Sequence, residues 1–131
     1  MRVNFPYVKE KSFLFGVVSR PVVKVILEGK FAQWMYVDSG ADITLIPLSV
    51  GKLVGLRRNE QDKLQRISGV GQSSVPVLMK RLSMQLGPAR FHARVAWSQV
   101  EDVPLLLGRM DVFPKFAVTF REKMGLTTFS K

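Results

Sequence analysis

Apolar residues fall along this chain in short runs and alternations, and few stretches carry helical spacing. Pro21-Val22-Val23-Lys24-Val25-Ile26-Leu27-Glu28 is rich in β-branched residues and long enough for a strand. Gly29-Lys30 turns it into Phe31-Ala32-Gln33-Trp34-Met35-Tyr36-Val37, so the two runs predict a hairpin whose second strand ends at Asp38. Upstream, the apolar run Phe13-Leu14-Phe15-Gly16-Val17-Val18 also reads with the strands. After Pro47, Leu48 to Leu56 has room for one or two helical turns, weakened by Gly51 and Gly55.

The second half repeats the strand pattern. Lys63-Leu64-Gln65-Arg66-Ile67 and Val75-Pro76-Val77-Leu78-Met79 flank the Gly/Ser-rich Ser68-Gly69-Val70-Gly71-Gln72-Ser73-Ser74, which predicts a hairpin. Its second arm runs on through Leu86 with alternate apolar residues, and Gly87-Pro88 ends it. Ala89 to Trp97 alternates again, and Val103 to Leu107 is a short run with a buried character. Gly108 to Phe113 is expected to start a short helix, with Phe116–Phe120 and Leu126–Phe129 as closing strands. The terminal strands have no evident partner within the chain. The sum is an all-β domain spanning 1–131, a small closed barrel or sandwich with one short C-terminal helix.

Composition narrows the chemistry. The chain has 131 residues, 47% of them hydrophobic, enough for a real core. It has no cysteine, which excludes disulfides, thiol nucleophiles and cysteine-zinc sites. No apolar stretch approaches the roughly 20 residues of a membrane span. The N-terminus lacks a secretory h-region, so the expected location is the cytoplasm. Twenty basic against ten acidic residues give a net charge of +10. The basic residues are scattered and form no continuous helical face, so only the net charge points to a nucleic-acid partner.

The candidate chemistry lies in Asp38-Ser39-Gly40-Ala41-Asp42. An aspartate at the end of an apolar strand is costly unless its charge is held or used. Gly40 permits a tight turn that presents an N–H to the carboxylate, and Ser39 adds a hydroxyl. A structural turn at a strand end is the plainer account of these three residues alone. His92, the single histidine, sits in an alternating strand and reads as an ordinary surface or core residue. Trp34 and Trp97 read as core residues. A metal site has neither a second histidine nor a cysteine to draw on.

The loop within its apolar bracket resembles the active-site loop of the retropepsin-like aspartic proteases. Three later segments resemble that family in the same order: Ile67-Ser68-Gly69-Val70-Gly71 its flap, Leu105-Leu106-Leu107-Gly108-Arg109 the segment before its C-terminal helix, and Phe116–Phe120 the strand that follows. The likeness spans roughly residues 20 to 129. It departs at Gln72, where a second glycine is frequent in the family.

The resemblance implies an acid-protease fold with a flap hairpin, and peptide-bond hydrolysis by water without a cofactor or metal. It implies Asp38, Ser39 and Gly40 as catalytic residues, and Ala41, Asp42, Ser68, Gly69, Val70 and Gly71 as substrate-binding residues. Asp42, Gly108 and Arg109 would support the site, with Asp42 and Arg109 forming a buried pair. Such catalysis uses two aspartates, and this chain has one Asp-Ser-Gly. Asp42 is tied to the same loop and aimed elsewhere, so the mate is expected from a second chain in a homodimer. The expected partners are a polypeptide substrate and a second copy, with no membrane. Two other readings accompany this one: an inactive peptide- or protein-binding module of the same fold, and a basic nucleic-acid-associated domain.

Overall fold

A computed structural model describes residues 1–69, 71 and 73–131. The strands are β1 (Arg2–Pro6), β2 (Val8–Ser12), β3 (Gly16–Arg20), β4 (Val22–Leu27), β5 (Phe31–Val37) and β6 (Thr44–Ile46). The helix α1 (Leu48–Leu53) precedes β7 (Gln65–Ser68), β8 (Ser74–Leu86), β9 (Ala89–Ser98), β10 (Leu106–Leu107), β11 (Ala117–Arg121) and β12 (Leu126–Ser130). The protein is all-β and its main sheet runs β4-β5-β10-β6-β9-β8-β7. Pairing of β4 with β8, Ile26 opposite Gln85, closes it into a barrel and leaves β7 as a branch.

Period-two patterning explains the barrel. On β4 the inward Val23, Val25 and Leu27 are fully buried while Lys24 faces solvent. They meet Met35, Leu78, Leu82, Met84, Val95 and Leu107 in one core. The β4–β5 turn has positive φ at both Glu28 (50°) and Gly29 (74°), the primed geometry that matches strand twist. The Glu28 carboxylate fixes this turn by accepting from the backbone N–H and the hydroxyl of Ser83. Trp34 departs from expectation: it lies on the outward face of β5, opposite Lys24, and is exposed, whereas Trp97 is buried.

Helix α1 sits against β9. Trp97 Nε1 donates to Leu48 O, and the indole covers Gly51 so closely that a side chain there would collide with the ring. The helix has no side-chain cap of its own. Glu101 supplies one from a distant loop by accepting from Ser49 N–H at 3.0 Å, which lowers the Glu101 carboxyl below its ordinary range.

The two termini pair with each other. β12 lies between β1 and β11 in a three-stranded sheet, with Val3 opposite Phe129 and Val118 opposite Phe129 on the other side. The expectation of partnerless terminal strands is thereby corrected. Phe129 is fully buried and meets Phe5 and Phe116 edge-on, joining this sheet to the barrel core. The helical element expected after Gly108 is a single 3-10 turn, Phe113–Lys115; Pro114 removes one amide donor within it.

One hairpin differs more sharply from expectation. β2 and β3 form a two-stranded sheet, and Phe13–Phe15 is its turn rather than a strand. Among the described residues no helix is long and apolar enough to cross a membrane.

Candidate active site

The catalytic-loop candidate is the connection between β5 and β6. Short β10 is wedged between these strands, parallel to β5 at Leu106–Tyr36 and Leu107–Val37 and antiparallel to β6 at Leu106–Leu45. The backbone of β10 therefore fastens both ends of the loop. Asp38 N–H donates to Leu107 O at 3.0 Å, Arg109 N–H to Ala41 O at 2.9 Å, and Met110 N–H to Asp42 O at 2.9 Å. At Gly108 the two segments approach closely. Its N–H donates to the buried Thr44 Oγ1, and a Cβ there would strike the backbone of Ile43 and Thr44.

Within the loop, Gly40 N–H donates to Asp38 Oδ1 at 2.9 Å and Ala41 N–H to Asp38 O at 3.2 Å. The carboxylate is thus oriented by a backbone donor while Asp38 stays partly accessible at the end of an apolar strand. An oriented and accessible carboxylate of this kind can accept a proton from water.

Two open cavities flank the loop and share no residue. Before Asp38 lies one of about 320 Å³, lined by Arg20, Pro21, Tyr36, Val37, Asp38 and Leu106. After it lies a groove of about 890 Å³ whose lining includes Ser39, Asp42 and Arg109. Asp42 therefore faces a different cavity from Asp38. The expected buried Asp42–Arg109 pair is not formed: both side chains are exposed and no ion pair joins them within 4 Å. Arg109 instead donates from Nη1 to Ser39 O at 3.2 Å and lies 5.2 Å from the Phe113 ring centre. The reason is local, since Arg109 can reach the nearby Ser39 carbonyl without leaving solvent.

A different arginine makes the close carboxylate pair. Arg94 meets Asp111 through Nε–Oδ2 at 2.8 Å and Nη2–Oδ1 at 3.0 Å, and its backbone N–H also donates to Oδ2. Asp111 sits at φ 63°, a left-handed position uncommon outside glycine, asparagine and aspartate. The Arg94 bonds hold it there and lower its carboxyl well below the usual range. Sequence reasoning missed this pair because it joins outward positions far apart in the chain.

Tyr36 carries a second missed contact. Its hydroxyl donates to the Glu10 carboxylate at 2.8 Å, and Arg20 Nε lies 3.4 Å from Glu10. Chiefly through that hydrogen bond, the Tyr36 phenol is raised above its ordinary range. The β2–β3 hairpin is therefore rooted two residues before Asp38.

The other candidates lie apart. Ser68, Gly69 and Gly71 belong to the exposed end of the β7–β8 hairpin, and none lines either cavity. Val70 and Gln72 fall outside the described residues. Ile67 and Val75, a cross-strand pair of this hairpin, pack against the buried Leu45, Val77 and Ala96, the same cluster that Leu106 of β10 packs against. His92 is exposed on β9 and lines neither cavity beside the loop.

A family profile described as aspartyl protease matches residues 23–110. The chain belongs to the aspartyl protease family. The matched span begins in β4, takes in the Asp38 loop and ends just after Arg109, so it contains every segment that fastens the loop. None of the curated proteins matches this sequence. Membership of the aspartyl proteases supports peptidase activity, and the Asp38 loop lies within the matched span.

Proposed function

We propose that this protein is a retropepsin-like aspartic endopeptidase whose active site forms between two copies of the chain. The observation that carries the proposal is the solitary Asp38: one Asp-Ser-Gly loop, with Asp42 turned to another cavity. Hydrolysis of an amide by activated water needs a base and an acid together. Two Asp38 carboxylates about 3 Å apart would hold one proton between them, because both cannot ionise cheaply.

In this mechanism the ionised Asp38 takes a proton from water as its oxygen attacks the scissile carbonyl carbon. The protonated Asp38 of the second chain donates to the carbonyl oxygen, giving a neutral tetrahedral diol. Proton return to the nitrogen then breaks the C–N bond and releases the amine, while the diol becomes the carboxylic acid. Gly40 N–H keeps Asp38 oriented throughout. Ser39 would bond across the two-fold axis. The β7–β8 hairpin would act as the flap, with Ser68, Gly69 and Gly71 at its end, covering an extended peptide and excluding water.

The test is cleavage of a mixed peptide library between about pH 4 and 7, by wild type and Asp38→Asn, with light scattering at the assay concentration. Cleavage lost in the variant, by a dimeric wild type, is expected. Undiminished cleavage by the variant, or full activity from a monomer, would overturn the proposal.

A further inference from the structure

The cavity before the loop is lined by Arg20, Pro21, Tyr36, Val37, Asp38 and Leu106. Val37 N–H donates to Pro21 O at 2.9 Å, which brings Arg20 alongside Asp38 where β3 passes into β4. Glu10, on β2, does not line the cavity, yet it holds two of the residues that do. Both of its carboxylate oxygens accept from the Tyr36 hydroxyl at 2.8 Å, and Oε2 lies 3.4 Å from Arg20 Nε.

Arg20 makes no other ion pair within 4 Å among the described residues. Glu10 is therefore the group that offsets its charge. The Arg20 and Glu10 side chains are 47% and 30% exposed, so the charges are only partly screened by water. Lys9 and Lys11 lie on the opposite face of β2 and stay in solvent. Around the cavity Arg20 thus stands alone against Glu10 and Asp38, an excess of negative charge. The hairpin precedes the matched span 23–110, so this arrangement is added to the frame shared with the aspartyl proteases.

We propose that Glu10 is the positioning residue of a substrate subsite beside Asp38. It fixes Tyr36 in the wall and offsets Arg20, so the subsite takes an uncharged side chain of the peptide and rejects an acidic one. The proposal rests on the peptidase reading above and gives it a specificity. Loss of the Glu10 charge leaves the Arg20 guanidinium uncompensated toward the cavity and makes an acidic side chain acceptable.

The test starts from a peptide that wild type cuts in the library above. Glutamate or glutamine is placed in turn on either side of the scissile bond, and cleavage is followed at about pH 6, where a free glutamate side chain is ionised. The readout is the kcat/KM ratio within each pair. Both members meet the same Asp38, so changes in the catalytic group cancel. Wild type should prefer glutamine on at least one side, and Glu10→Gln should move that ratio toward glutamate by about two- to five-fold. Glu10→Gln/Arg20→Gln removes one charge of each sign and should return it to near the wild-type value.

A second readout follows the contact itself. The chain has two tyrosines, so in a Tyr7→Phe background the alkaline absorbance titration reports Tyr36 alone. Its phenol should titrate above the ordinary value with Glu10 present and nearer to that value in Glu10→Gln. A shifted titration with an unchanged peptide ratio would overturn the subsite and leave the peptidase reading standing. An unchanged titration would overturn the Glu10 contact and the proposal with it. Absence of any cleavage by wild type would remove the peptidase reading and the subsite together.

Discussion

Gly108 N–H donates to Thr44 Oγ1 at 3.1 Å inside the fold, joining the segment after β10 to the strand that closes the Asp38 loop. The approach is possible because residue 108 has no side chain: a Cβ would overlap the backbone of Ile43 and Thr44. Backbone cannot swing aside as a side-chain end can, so the two strands must separate to admit a methyl group.

Gly108→Ala should therefore lose about 2 kcal/mol or more of stability. The entropic gain from removing a glycine, about 0.4–1 kcal/mol, does not offset it. A urea titration read by circular dichroism checks the loss. Peptidase activity should fall further than stability explains, because Arg109, Ala41 and Asp42 are fastened through the same strand.

Gly51→Ala sets two effects against each other. Alanine favours a helix interior over glycine by about 1 kcal/mol. Here the new methyl would run into the Trp97 indole, which is buried and tied to Leu48 O. Overpacking of about 1–3 kcal/mol should win. The measurement is the urea midpoint together with tryptophan emission, where a net destabilisation and a red shift are expected.

The Arg94–Asp111 pair gives a pH dependence of defined sign. The folded Asp111 carboxyl is held below its ordinary value, so its contribution to stability is complete above the unfolded value of about 3.9. That contribution is lost as pH falls from there toward the folded value. Thermal unfolding between about pH 5 and 2 should show wild type losing more stability than Asp111→Asn. Equal slopes would mean that the pair contributes nothing to the pH dependence.

What the sequence made legible was local. The β4–β5 hairpin ending at Asp38, the pairing of Gly40 with the carboxylate and the long β8 arm follow from alternation and turn chemistry within short windows. The β2–β3 hairpin was hidden because Val8-Lys9-Glu10-Lys11-Ser12 carries charge and buries little, so it lacks the apolar signal of a core strand. Phe13–Phe15 misled for the converse reason: an apolar run is ordinarily a buried one. Trp34 shows the same limit, since period two says which residues share a face but not which face is inward. The Arg94–Asp111 and Tyr36–Glu10 contacts each join a strand of the closed sheet to a residue outside it, a turn in one case and the β2–β3 hairpin in the other, and only the complete fold brings them together.

The most direct test of the shared site is to unfold wild type and Asp38→Asn together in equal amounts, refold them, and measure peptidase activity per total chain. Random pairing of chains that each supply half of one active site predicts about one quarter of the wild-type value. Activity near one half would mean that each chain carries a complete site, and would contradict the account.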